Sequence, residues 1–183
     1  MLTDSEKKLL LSIARSAIKA ELQGIPVSIP KNIPESLRTH SGAFVTLHQY
    51  DELRGCIGYI ESNNELIDTI IEVAQKSAFE DPRFQPVVLE EEPELEFEIS
   101  VLTPARQITD VSEIIVGTHG IIMQKGMRRG LLLPQVPLEY GWDRETFLNQ
   151  TARKAGLPIK AWQEPDTKIF IFSAEVFNEH EFR

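Results

Sequence analysis

The 183-residue chain is 42% hydrophobic and 26% charged, the balance of a globular protein long enough to bury a core without disulfide or metal staples. Its formal charge of -9 excludes a broad phosphate-binding surface, and its single cysteine excludes an internal disulfide or a zinc site with several cysteine ligands, in keeping with a reducing cytosol. The start of the chain lacks a signal-peptide pattern and no stretch reaches the roughly 20 apolar residues that span a bilayer, so a cytoplasmic protein without membrane or nucleic-acid contact is expected.

Leu9, Leu10, Ile13, Ala14, Ala17 and Ile18 recur at helical spacing behind a cap at Thr3 or Ser5, with Glu6 placed to complete a capping box on Thr3. That helix fades near Gly24, and Pro26, Pro30 and Pro34 make the next stretch an extended connection. Phe44 to Leu47 reads as a strand, the Gln49–Glu52 stretch as a turn, and Leu53 to Ile60 as the hairpin mate. A second helix fits Glu65 to Phe79, capped by Asn63 or Asn64, with Leu66, Ile70, Val73, Ala74 and Ser77 along one side.

Beyond it, Asp81-Pro82-Arg83-Phe84 makes a tight turn. Leu95 to Val101 alternates cleanly, placing Leu95, Phe97, Ile99 and Val101 on one face and Glu96, Glu98 and Ser100 on the other. Residues 114–116 and 121–123 are expected to form a hairpin around Gly117-Thr118-His119-Gly120, and Arg129 to Leu133 another short strand. Pro134-Gln135-Val136-Pro137 reads as an exposed rigid loop. Arg144 to Ala155 is a third helix stopped by Gly156 and Pro158, and a last strand runs from Lys168 to Val176 before a mobile tail at residues 180–183. Three helices among about seven strands define an α+β fold with a mixed or antiparallel sheet, written as a single domain over 1–183.

Chemistry concentrates at Leu53-Arg54-Gly55-Cys56-Ile57-Gly58, a thiol between two glycines with an arginine two places before it. In an extended segment Arg54, Cys56 and Gly58 share a side, where the guanidinium could lower the thiol's pKa and orient a carboxylate or phosphate. Cys56 is thus open to three readings: a small buried core residue, a ligand contact, or a nucleophile with His48 as the nearest base. Glu96, Glu98 and Ser100 form either a solvated face or the acidic partner of Arg54. Asp81 and Arg83, on either side of Pro82, fix the turn or support Cys56 from behind it. Gln135, Tyr140 and Trp142 pack on the third helix or wall a partner surface. The glycines at 117, 120 and 126 do not make a dinucleotide fingerprint, and His40, His48, His119 and His180 have no metal-ligand spacing, so neither a cofactor nor a metal is expected.

Taken in order, Leu53 to Gly58, Asp81 to Phe84, Leu131 to Val136 and Lys154 to Leu157 with Trp162 resemble the AMMECR domain family over nearly the whole chain. The resemblance implies two unequal subdomains with a cleft, a functional site at residues 53 to 58, and company with Memo-like and radical-SAM-like proteins. Family members can carry cysteines where this chain has Ala152 and Ala161, so a mechanism needing a second thiol has no support here. The expectation is therefore a protein binding a small anionic or carbonyl-bearing ligand near Arg54 and Cys56, as an enzyme or a subunit of a modification system. The alternative is a non-catalytic module that holds a Memo-like or radical-SAM-like partner.

Overall fold

Thr3 starts the first helix. Its hydroxyl accepts the Glu6 amide at 3.3 Å while the Glu6 carboxylate accepts the Thr3 amide at 2.7 Å, satisfying two donors that a helix start leaves open. Helix α1 then runs Asp4–Gln23 in the computed structural model, which describes residues 1–182. Its buried stripe includes Leu10, Ile13, Ala14, Ala17 and Ile18, the spacing that the sequence carries.

The chain divides into two compact units, Met1–Leu102 with the segment from Glu175 onward, and Thr103–Ala174. The first holds strands β1 (Ala43–Gln49), β2 (Glu52–Tyr59) and β3 (Leu95–Leu102) and helix α2 (Leu66–Phe79). With β8 (Ala174–Asn178) these strands form a sheet in the order β2-β1-β3-β8. Strand β1 pairs antiparallel with both β2 and β3. Ala43, Val45 and Leu47 of β1 and Leu95, Phe97 and Ile99 of β3 meet α1 and α2 in one core. Period-2 alternation therefore places Phe44, Thr46, His48, Glu96, Glu98 and Ser100 on the opposite, outer face.

The second unit has its own core. Its sheet runs β4 (Arg106–Ile108), β7 (Lys168–Phe172), β5 (Gly120–Lys125), β6 (Arg128–Leu132), every paired neighbour antiparallel. Helices α3 (Val136–Glu139) and α4 (Arg144–Lys154) complete it, and Phe147, Leu148 and Ala152 of α4 are buried with Ile121, Met123, Ile169 and Ile171. Among the described residues no helix is long and apolar enough to cross a membrane, and no group of His, Cys, Asp or Glu is gathered to hold a metal ion.

The α+β class with antiparallel sheets stands as expected, but five local readings change. Residues 114–116 are not a strand: the Thr118 and His119 amides both donate to the Ile115 carbonyl, closing a turn, and β5 pairs with β6 instead. The run from Lys168 to Val176 is two strands in different sheets, interrupted at Ser173, whose amide donates to the Thr103 hydroxyl. The segment following Pro134 folds into α3, which accepts Pro137 in its first turn because no helical N–H is needed there. Helix α2 begins behind Glu65 rather than behind an asparagine cap. The tail is ordered into a short turn, with His180 Nε2 2.6 Å from Glu96 Oε2.

Candidate functional site

Cys56 sits on an edge strand whose backbone is held from the side by the end of α2 and the turn after it. Its amide donates to Asp81 Oδ2 at 2.9 Å, and its carbonyl accepts from Arg83 Nη2 at 3.3 Å. One residue on, the Ile57 amide donates to the Ser77 hydroxyl at 2.8 Å, which lies 2.8 Å from the Val45 carbonyl. The hydroxyl thus ties α2 to both β2 and β1, which stay paired in register at Ile57 and Val45. Both glycines serve this packing. A Cβ on Gly55 would lie 2.1 Å from the Ser77 carbonyl oxygen, and one on Gly58 would lie 2.3 Å from Cγ of Phe44. The space that small residues open next to the thiol is filled by the protein itself.

Asp81 is the anchor. Its side chain is 2% exposed and accepts from Arg83 Nη2 at 2.7 Å, Arg83 Nε at 2.9 Å and the Arg83 amide at 3.1 Å, besides the Cys56 amide. The bidentate guanidinium and the two amides hold its carboxyl well below the ordinary aspartate range, against the cost of burial. Arg83 itself remains 54% exposed beside Cys56. The turn-fixing and supporting roles considered for this pair are thus one arrangement.

The thiol is half-buried on the outer face, opposite Thr46, whose hydroxyl donates to Sγ at 3.3 Å. Glu98 is the next residue across, paired in register with Thr46. Burial pushes the Cys56 thiol up, with the nearby Asp81 and Glu98 charges adding to it and Thr46 and Arg83 opposing. A protonated thiol at neutral pH follows.

Arg54 is not its neighbour in charge. The register passes from Leu47 opposite Gly55 to His48 opposite Leu53, so Arg54 is an extra, bulged residue and the simple alternation that would align it with Cys56 is broken. Its Nε and Nη2 donate to the two oxygens of Glu91, each at 3.0 Å, rather than to Glu96 or Glu98, and this holds the Glu91 carboxyl below its ordinary value. Arg54 Nη1 is buried without a hydrogen-bond partner among the described residues. His48 stands opposite Leu53 and Glu96, whereas Thr46 occupies the position across from the thiol. The structure thus brings Cys56, Thr46, Glu98, Asp81 and Arg83 together and leaves Arg54 and His48 further toward the β1–β2 turn.

Sequence reasoning passed over three residues. Ser77 was visible only as a polar side chain on the apolar stripe of α2, and Thr46 as one polar position on an alternating strand. Glu91 lies in an acidic run that gave no sign of an arginine partner. In the second unit, Tyr140 stacks on Trp142 at 4.9 Å and is 66% exposed, Trp142 packs on the core, and the Gln135 amide oxygen is buried without a partner among the described residues.

A family model described as AMMECR1 matches residues 11–177. The chain belongs to the AMMECR1 family. A protein of Methanothermobacter thermautotrophicus is 44% identical over 97% of this chain and 96% of its own length, and the protein PH0010 of Pyrococcus horikoshii is 45% identical over 96% and 91%. A crystal structure titled as uncharacterized protein PH0010 from Pyrococcus horikoshii superposes with a TM-score of 0.90, covering 97% of this chain and 93% of that one at 44% identity. The AMMECR1 resemblance carried by residues 53 to 58 and 81 to 84 therefore extends to the whole fold.

Proposed function

We propose that this AMMECR1 protein binds a small ligand with an anionic or carbonyl group on the outer face of the first unit's sheet, beside Cys56. The observation that carries the reading is a half-buried thiol that accepts from the Thr46 hydroxyl, next to an exposed arginine that donates to the Cys56 carbonyl and whose own carboxylate partner is buried. Such an arginine is pre-oriented yet retains donors for an incoming oxygen. Protonated Cys56 and Thr46 supply hydroxyl- and thiol-type contacts, and Glu98 an acceptor. Arg54, locked to Glu91, positions the bulged strand rather than touching the ligand. The raised thiol favours a ligand contact over an attacking thiolate, and the reading fits an enzyme subsite or the ligand-holding subunit of a modification system.

Metabolites retained by the purified protein, identified by mass spectrometry, test this. A retained carboxylate or carbonyl class that drops about tenfold with Cys56→Ala and with Arg83→Gln, each checked for folding by circular dichroism, is expected. An identical retained set in all three proteins overturns it.

A second reading, the non-catalytic interaction module, draws on the surface around α3. Ile115, Leu138 and Tyr140 are each more than half exposed, and Leu138 lies against Gly117 in the turn that contains Ile115. Exposed apolar side chains so grouped suit a protein partner, here a Memo-like or radical-SAM-like enzyme. Pull-down of such a purified enzyme should fall with Leu138→Ser plus Tyr140→Ser, and unchanged recovery removes this surface from consideration.

A further inference from the structure

The second unit holds a cavity of its own. Strands β4 and β7 pair as far as Ile108 opposite Ile169, where β4 ends and the two chains part. Residues on both sides of that point line a cavity of about 420 Å³, toward the lower end of the roughly 300–1,000 Å³ usual for small-molecule sites. All of its lining residues belong to the second unit, so it stands apart from the reading of Cys56.

The lining divides by chemistry. Ile108 and Ile169 belong to the second unit's core and Val111 and Trp162 pack against it, giving the cavity an apolar surface. Trp162 is fixed in place by its indole N–H, which donates to Asn149 Oδ1 at 2.9 Å. The neutral polar side chains of Gln107, Thr109, Gln163 and Thr167 complete the wall, the first three of them exposed. The Thr167 hydroxyl oxygen is buried with no hydrogen-bond partner among the described residues, so the fold leaves its donor and acceptor capacity unused. Its loop is pre-shaped, because the Thr167 amide donates to the Glu164 carbonyl at 3.1 Å across Pro165.

The charged groups balance. Glu164 and Asp166 also line the cavity, but both pair with Lys125, and Lys168 stands among the same lining residues. Two carboxylates against two ammonium groups leave no net charge to favour an anion or a cation. An aromatic ring on an apolar surface, beside amides and hydroxyls that both donate and accept, matches a molecule with C–H faces and several hydroxyls.

We infer that this cavity binds a neutral mono- or disaccharide, a C–H face of one sugar ring against Trp162 and its hydroxyls on Gln107, Gln163 and Thr167. NMR titration of the intact, isotope-labelled protein tests this. Of the two tryptophan indole signals, one reports from the cavity lining and the other, Trp142, from outside it; Trp142→Phe assigns them. The probes are methyl glucoside, methyl galactoside, methyl mannoside, maltose and cellobiose. At least one should shift the Trp162 signal saturably, with a Kd of about 1 mM or tighter, and leave the Trp142 signal in place. The uronate and amino-sugar counterparts of that sugar should bind about tenfold more weakly. Gln107→Ala plus Gln163→Ala, at two exposed positions, should weaken the neutral sugar about tenfold. Thr167→Val should weaken it too without lowering the urea midpoint, since that hydroxyl has no protein partner to lose. The inference is overturned if none of these sugars shifts Trp162 saturably at up to about 20 mM. It is equally overturned if a charged counterpart binds as tightly as the neutral sugar, or if binding survives both sets of substitutions unchanged. A Trp162 shift with adenosine and none of the sugars overturns the saccharide class.

Discussion

Asp81 concentrates more of the local order than any other residue near the thiol, since one carboxylate accepts the Cys56 amide and three donors of Arg83. Asp81→Asn keeps the shape but removes the charge that strengthens these bonds, and it presents a donor toward groups that are already donors. A loss of about 2–3 kcal/mol in urea unfolding is expected; a change under about 0.5 kcal/mol would mean that the bonds are not made in solution. The pH dependence has a defined sign. A carboxyl depressed on folding contributes stability that is fully present above its unfolded pKa near 3.9 and is lost as pH falls through its lower folded value. The wild-type protein should lose stability between about pH 5 and the acid limit, and the Asp81→Asn protein should lose less over the same interval. Parallel stability curves would assign the acid sensitivity to other groups.

Strand β2 marks where element-level reading succeeds and where it stops. The hairpin, the apolar stripe of α1 and the alternation of β3 all follow from periodicity, because each has one face on a core and one away from it. Periodicity says nothing of a bulge, so Arg54 was placed beside Cys56 although the register carries it to Glu91. Nor does it reveal that an apolar run such as residues 114–116 buries Ile114 through a turn, or that the Lys168–Val176 run breaks at Ser173. The glycines of the thiol segment were legible as small but not as occupied: Ser77 of α2 fills the space over Gly55. Gly55→Ala should therefore push α2 from β2, costing about 2–3 kcal/mol by overpacking against backbone. Gly58→Ala meets the Ala43 carbonyl oxygen at 2.4 Å as well as the Phe44 ring, and should cost a similar amount. Chemical unfolding followed by circular dichroism measures both, and a cost under about 0.5 kcal/mol at either position would mean that the backbone there gives way to a methyl group.

At the scale of the whole molecule, charge is the property that sequence states most completely and that folding only redistributes. The formal charge is -9 and the isoelectric point about 5.0, so the long-range field around the protein repels phosphate at neutral pH. A local exception was conceivable, because Lys125-Gly126-Met127-Arg128-Arg129 is a compact basic run. The fold spends that run within the second unit. Lys125 pairs with Glu164 and, at 3.0 Å, with Asp166, and Arg128 Nη1 donates to the Gly156 carbonyl at 2.8 Å. Glu164 and Asp166 also line the same surface cavity as Lys125 and Arg128, so a phosphate approaching the cations there meets carboxylates too. Nucleic-acid affinity comes mainly from clustered cations that release counterions, and here Lys125 is already paired with two carboxylates. The intact protein should therefore leave duplex DNA and single-stranded RNA unshifted in a gel assay even at about 20 mM salt, where screening is weak and such contacts are strongest. Binding at that ionic strength that disappears on adding about 200 mM salt would identify a phosphate-binding surface that the ion pairs fail to neutralise.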